Sequence, residues 1–222
     1  FGPNEDFDRY PRDLERDSRL AKEAGVDVLF YPQVDEIYPQ DGGITIRAGQ
    51  QANVLCGASR PGHFDGVLKI VTKLFHIVQP TRAYFGQKDA QQLAIIETLV
   101  RDYNFPLEIR RVETVREEDG LAKSSRNVFL STKEREEAPV LQKAIKLGVA
   151  DYSKNGDANQ AVSNTKKLIE ENTSGKIDYV ELLGYPNLTK PTNRHEDIIL
   201  AVAVFFEKAR LIDNIILTNK GE

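Results

Sequence analysis

From Asp13 to Val115 the sequence switches at least three times between helical periodicity and short apolar runs, and this alternation restricts the fold more than any other feature. Leu14, Leu20, Ala21 and Ala24 are spaced as on one helix before a stop at Gly25. Val26–Tyr31, ended by Pro32, then reads as a buried strand. A loop through Tyr38-Pro39 and Gly42-Gly43 leads to a short strand at Ile44-Thr45-Ile46. Phe64, Val67, Leu68, Val71, Leu74, Phe75 and Val78 fall on one face of a long helix that Pro80 closes. Arg82–Phe85 follows as a strand. Next come a helix over Ala90–Asp102, with Leu93, Ile96, Leu99 and Val100 inward, and a strand over roughly Leu107–Val115. Chains of this pattern bury a parallel sheet under helices and bind ligands at the carboxyl ends of the strands.

The remainder has a different rhythm. Ser131-Thr132-Lys133-Glu134 has the form of a capping box, and Pro139 interrupts the helix it opens. A helix over Asp157–Glu171 turns Ala161, Leu168 and Ile169 inward, and Ile177–Leu183, Ile198–Phe206 and Leu211–Leu217 finish the chain as strands. Helices followed by consecutive strands predict an α+β unit. The expected architecture is therefore α/β: a parallel-sheet domain over residues 1–116 and a smaller α+β domain over 117–222, with the boundary near 115–122.

Composition removes several function classes. With 222 residues, 40% hydrophobic, the chain can bury a sizeable core. A net charge of −4 without a basic run argues against a nucleic-acid partner. No apolar run approaches the ~20 residues of a membrane span, and no stretch reads as a signal peptide. One cysteine, Cys56, allows neither an internal disulfide nor a cysteine zinc site, and reads as a small buried apolar residue in a cytoplasmic protein. The chain starts at Phe1 and contains no methionine, so a further N-terminal segment is expected upstream.

Chemistry concentrates at Tyr84-Phe85-Gly86-Gln87-Lys88-Asp89-Ala90-Gln91-Gln92. A glycine between strand and helix lets backbone approach a ligand, and the N–H groups of a new helix favour an anion. Lys88 brings a mobile positive charge suited to phosphate oxygens, and Asp89 can accept hydrogen bonds or face a metal carried by those phosphates. Gln92, one turn after Lys88, offers a donor and an acceptor to a polar second substrate. Solvated charges at an ordinary strand–helix junction are the plain alternative. A second cluster, Lys123-Ser124-Ser125-Arg126, strings two hydroxyls between two cations at the predicted domain joint, as a phosphate clamp or as a solvated linker. Of the three histidines, His76 reads as a surface or boundary residue and His195 as part of a polar loop. Only His63, beside Arg60, is placed near a substrate, with a structural hydrogen bond as the equal alternative. Asp17 reads as an exposed helix charge, although it can reach a metal through water, and Glu134-Arg135-Glu136-Glu137 reads as a solvated face.

Five blocks resemble the pantothenate synthetases (pantoate–β-alanine ligases). They are Phe1–Phe7 with Tyr10-Pro11-Arg12, Arg60–Val67, Tyr84–Gln92, Glu118–Asn127 and Ala209–Asn214. The resemblance implies a nucleotidyltransferase-type Rossmann fold with a C-terminal lid, in a homodimer. It implies ATP, D-pantoate and β-alanine as substrates, Mg2+ as the metal, and a pantoyl-adenylate intermediate with AMP and pyrophosphate released. It places Gly86, Gln87, Lys88 and Asp89 on ATP, the backbone of Val115 at the adenine, and Lys123, Ser124, Ser125 and Arg126 on the phosphates. Gln92 falls on pantoate, and Lys88, Ser124 and Arg126 carry catalysis. Lys123 stands where many members have methionine. The family's His-x-Gly-His element, a second pantoate-binding glutamine and the first strand of the sheet are expected upstream of Phe1. Two other readings stay open: a nucleotidyltransferase with another acceptor, and a non-catalytic piece that keeps dimerisation and partial ATP contacts.

Overall fold

A computed structural model describes residue 10 and residues 12–39, 43–193 and 195–218. The block Phe1–Phe7 and the turn residue Gly42 lie outside the described residues. Helix α1 (Leu14–Glu23) starts where the Asp13 carboxylate accepts the Arg16 N–H at 2.9 Å, and it buries no residue. The predicted strand at Val26–Tyr31 does not form, and Val28 is 79% exposed. Apolar content is insufficient here: a strand needs a neighbour to take its N–H and C=O groups, and no described segment pairs with it. Ile44–Ile46 is likewise irregular.

After two single-turn helices, α2 (Val34–Ile37) and α3 (Leu55–Ser59), the predicted long helix appears as α4 (His63–Val78). Phe64, Leu68, Val71 and Phe75 form its buried stripe, while Val78 at the last turn is exposed. Strand β1 (Arg82–Gly86), helix α5 (Ala90–Asp102) and strand β2 (Glu108–Val112) complete the unit. The strands pair in parallel, with Arg82 opposite Glu108 and Gly86 opposite Val112. Phe75 meets Phe85 and Phe105 edge-on, joining α4 to the sheet.

In the second unit α6 (Thr132–Glu137) begins with the capping box of Ser131 and Glu134, and the chain breaks at Pro139 before α7 (Val140–Asn155). Helix α8 (Ala158–Asn172) then leads to β3 (Lys176–Gly184), β4 (Ile198–Phe205) and β5 (Arg210–Leu217), antiparallel with β4 central. Helices α7 and α8 approach closely over Gly148, where a Cβ would lie 2.2 Å from Thr165 Oγ1. Strand β4 is covered on both faces. Ile198, Leu200, Val202 and Val204 pack on Leu141, Ile145 and Ile169 of α7 and α8. Ile199 and Ala201 pack with Leu55, Ala90 and Ala94 of the first unit.

The four-residue charged run in α6 needs correction. Glu134 is only 7% exposed and accepts the Glu207 N–H at 2.8 Å and the Ser131 N–H at 2.8 Å. Glu137 is half-buried and accepts from the N–H and hydroxyl of Ser174, each at 2.7 Å. These carboxylates close the ends of neighbouring segments, a role that helical spacing does not reveal.

Candidate active site

The chain leaves β1 at Gly86 and makes one 3-10 turn, Gln87–Asp89, before α5 begins. Gly86 has φ −72° and ψ 133°, which any residue adopts, and a Cβ there would meet nothing within 4 Å. Neither backbone strain nor packing therefore requires a glycine, and its smoothness serves the open space beside it.

Lys88 Nζ donates to the carbonyl of Lys123 at 3.1 Å. The two clusters singled out in the sequence thus touch. Burial lowers the Lys88 pKa from the ordinary lysine value; the carboxylates of Asp89 and Asp213 oppose that shift, and the guanidiniums of Arg126 and Arg116 add to it. A desolvated ammonium among other cations is suited to an anion. Asp89 is exposed, and Gln92 shares one small cavity with Lys88, Asp89, His63 and Cys56. His63 is half-buried with Nε2 3.0 Å from an Arg60 nitrogen, while His76 and His195 are exposed, as the sequence reading has them.

The Lys123–Arg126 loop has contacts of its own. Ser124 Oγ accepts the Arg126 N–H at 3.2 Å and caps the 3-10 turn Ser125–Phe129. The Arg126 guanidinium lies 5.5 Å from the centroid of the Tyr10 ring. Lys123 turns its ammonium to Glu117, 3.6 Å away, so its share of the junction is the backbone carbonyl. Val115 is exposed, and its carbonyl accepts the Lys123 N–H at 2.9 Å. Ser125 is exposed at the start of the turn.

Three further residues hold this arrangement and were given no role from sequence. Arg116 makes two bonds to Asp213, of 2.7 and 2.9 Å, and a third to the carbonyl of Gly120 at 3.0 Å. Asn214 Nδ2 donates to the carbonyls of Gln87 at 3.1 Å and Lys88 at 2.8 Å. The available signal was a polar pair inside the apolar run Leu211–Leu217. Cys56 is buried as expected but has polar company, with Tyr179 Oη at 3.3 Å and the Arg210 guanidinium at 3.6 Å.

Among the described residues no helix is long and apolar enough to cross a membrane. Residues 1–216 match the family described as pantoate-beta-alanine ligase. A pantothenate synthetase of Lysinibacillus sphaericus is 61% identical over 220 residues, covering 99% of this chain and 78% of the relative. That of Bacillus subtilis is 55% identical over 218 residues, covering 98% and 76%. The crystal structure of the Thermus thermophilus enzyme superposes with a TM-score of 0.91 at 44% identity, covering 97% of this chain and 78% of that one. A Francisella tularensis pantoate-beta-alanine ligase, complexed with beta-gamma ATP and beta-alanine, superposes at 0.76 with 32% identity, covering 97% and 74%. The two other readings left open by the sequence are not favoured by these matches. By sequence and by fold, the chain belongs to the pantoate–β-alanine ligase family.

Proposed function

We propose that this chain condenses D-pantoate with β-alanine at the expense of ATP through a pantoyl-adenylate, with the triphosphate held between Gly86–Asp89 and Lys123–Arg126. The observation that supports the reading is the 3.1 Å contact between Lys88 Nζ and the Lys123 carbonyl, which brings the two segments side by side.

In the first step a pantoate carboxylate oxygen attacks the α-phosphorus, and the bond to the bridging oxygen breaks to release pyrophosphate. In the second the β-alanine amine attacks the activated carbonyl carbon, AMP leaves, and the amine loses a proton. Neither step needs a covalent bond to protein, so positioning and charge neutralisation supply the catalysis. Lys88 and Arg126 face the charge that develops on the phosphates. Ser124 already accepts from Arg126, which leaves its hydroxyl proton for a phosphate oxygen. Gln87 and Ser125 line the phosphates, the Val115 backbone borders the adenine, and Gln92 orients pantoate.

Mg2+ in such sites takes one or two protein carboxylates and completes its shell with phosphate oxygens and water. The exposed Asp89 beside Lys88 fits that demand. When bound it supplies charge neutralisation on the phosphates. The homodimer and cytoplasmic location implied by the resemblance belong to the same proposal; sedimentation at equilibrium tests the first.

ATP–pyrophosphate exchange across a panel of carboxylic acids is the deciding experiment. Pantoate is expected to drive exchange well above its analogues, and equal rates with unrelated acids would remove the assignment.

A further inference from the structure

Asp213 and Asn214 are adjacent on β5 and only 3% and 8% exposed, inside a strand whose neighbours are apolar. Each reaches out of its own sheet to a different part of the candidate site. The Asp213 carboxylate takes the Arg116 fork, and Arg116 also holds the Gly120 carbonyl in the loop that leads to Lys123. The Asn214 amide spans the successive carbonyls of Gln87 and Lys88. The Asp213 carboxylate also accepts the Asn214 N–H at 2.8 Å, which ties the pair together.

The direction of those two carbonyls matters. A trans peptide is planar, with its C=O and N–H pointing opposite ways. Holding the Gln87 oxygen toward β5 sends the Lys88 N–H away from it, and holding the Lys88 oxygen does the same for the Asp89 N–H. Successive N–H groups aimed to one side make an anion-binding concavity. A merely space-filling residue would require no donor at either carbonyl.

We propose that Asn214, locked by Asp213, is a positioning residue for phosphate binding: from the second unit it sets the peptide planes of the Gln87–Asp89 turn and the base of the Lys88 side chain. This rests on the reading of that turn as the phosphate site. The pair thereby registers the turn and the loop that leads to Lys123 on one strand.

The test compares dissociation constants for ATP and adenosine by isothermal titration calorimetry on the whole chain, since adenosine has no phosphates. Asn214→Ala should weaken ATP about tenfold, in the range for a lost pair of buried hydrogen bonds, and leave adenosine unchanged. Asn214→Asp keeps the size but replaces donors with an acceptor facing two carbonyls, so it should weaken ATP more than Ala does. The opposite order, or equal weakening of ATP and adenosine, assigns Asn214 to packing and overturns the inference. Failure of both variants to fold does the same. Lys88→Ala is the reference. If it leaves the ATP-to-adenosine ratio unchanged, the phosphate site itself is misplaced. If it collapses the ratio while both Asn214 variants preserve it, only the positioning role falls. In the Lys88→Ala background, Asn214→Ala should retain only the smaller loss that comes from the turn's N–H groups.

Discussion

Strands β4 and β1 show two uses of an apolar run. In β4 the residues from Ile198 to Val204 are all buried, because helices α7 and α8 cover one face and the first unit covers the other. In β1 burial alternates, Tyr84 is exposed, and the strand ends at an open turn where Gly86 meets nothing. The first region spends its sequence on packing; the second keeps surface free at the carboxyl end of a parallel strand, where α/β proteins bind ligands. On the proposed function stability and binding reside in different elements, and substitutions should separate them.

The largest effect should come from Lys88→Ala, which removes the half-buried ammonium. ATP–pyrophosphate exchange should fall a hundredfold or more, on the order of 3 kcal/mol of transition-state stabilisation, while the urea midpoint stays near wild type. Near-normal exchange would break the contrast at its binding end. Leu200→Ala should do the reverse. Leu200 is 0% exposed in β4, and its truncation should cost about 3 kcal/mol in urea unfolding with ATP affinity of the folded fraction unchanged.

A smaller effect belongs to Glu134, whose pKa is lowered chiefly by the backbone N–H groups of Glu207 and Ser131. A carboxyl with a depressed folded pKa stabilises fully above its unfolded pKa of about 4.3, and that contribution is lost as pH falls through the folded value. Glu134→Gln should cost about 1–2 kcal/mol at pH 7 and flatten the acid limb of the stability curve. An unchanged acid limb would return Glu134 to the solvated face. The smallest effect is expected for Lys123→Met, within about 0.5 kcal/mol in stability and within twofold in ATP affinity, because the junction uses the carbonyl of that residue.

Legibility followed the locality of the interactions. The stripe of α4, the capping box at Ser131 and the strand–turn–helix around Gly86 are set by neighbours in sequence, and all three are observed, with a 3-10 turn added before α5. The Val26–Tyr31 run has strand composition, yet pairing depends on a distant partner that periodicity does not supply. Glu134 looked solvated because its acceptor role is completed by Glu207, far along the chain. Lys88 and the Lys123–Arg126 cluster were visible by residue type, and the resemblance put both on ATP, whereas the bonds from Asn214 to the turn depend on how β5 packs against it.

The shared apolar seam has a consequence for traffic. Ile199 and Ala201 cannot swing away from Ala90 and Ala94 without wetting that contact. On the proposed function a nucleotide therefore has to enter without the two units parting along this seam, and Leu121 and Ala122 of the connecting loop, each 4% exposed, hold the joint as well.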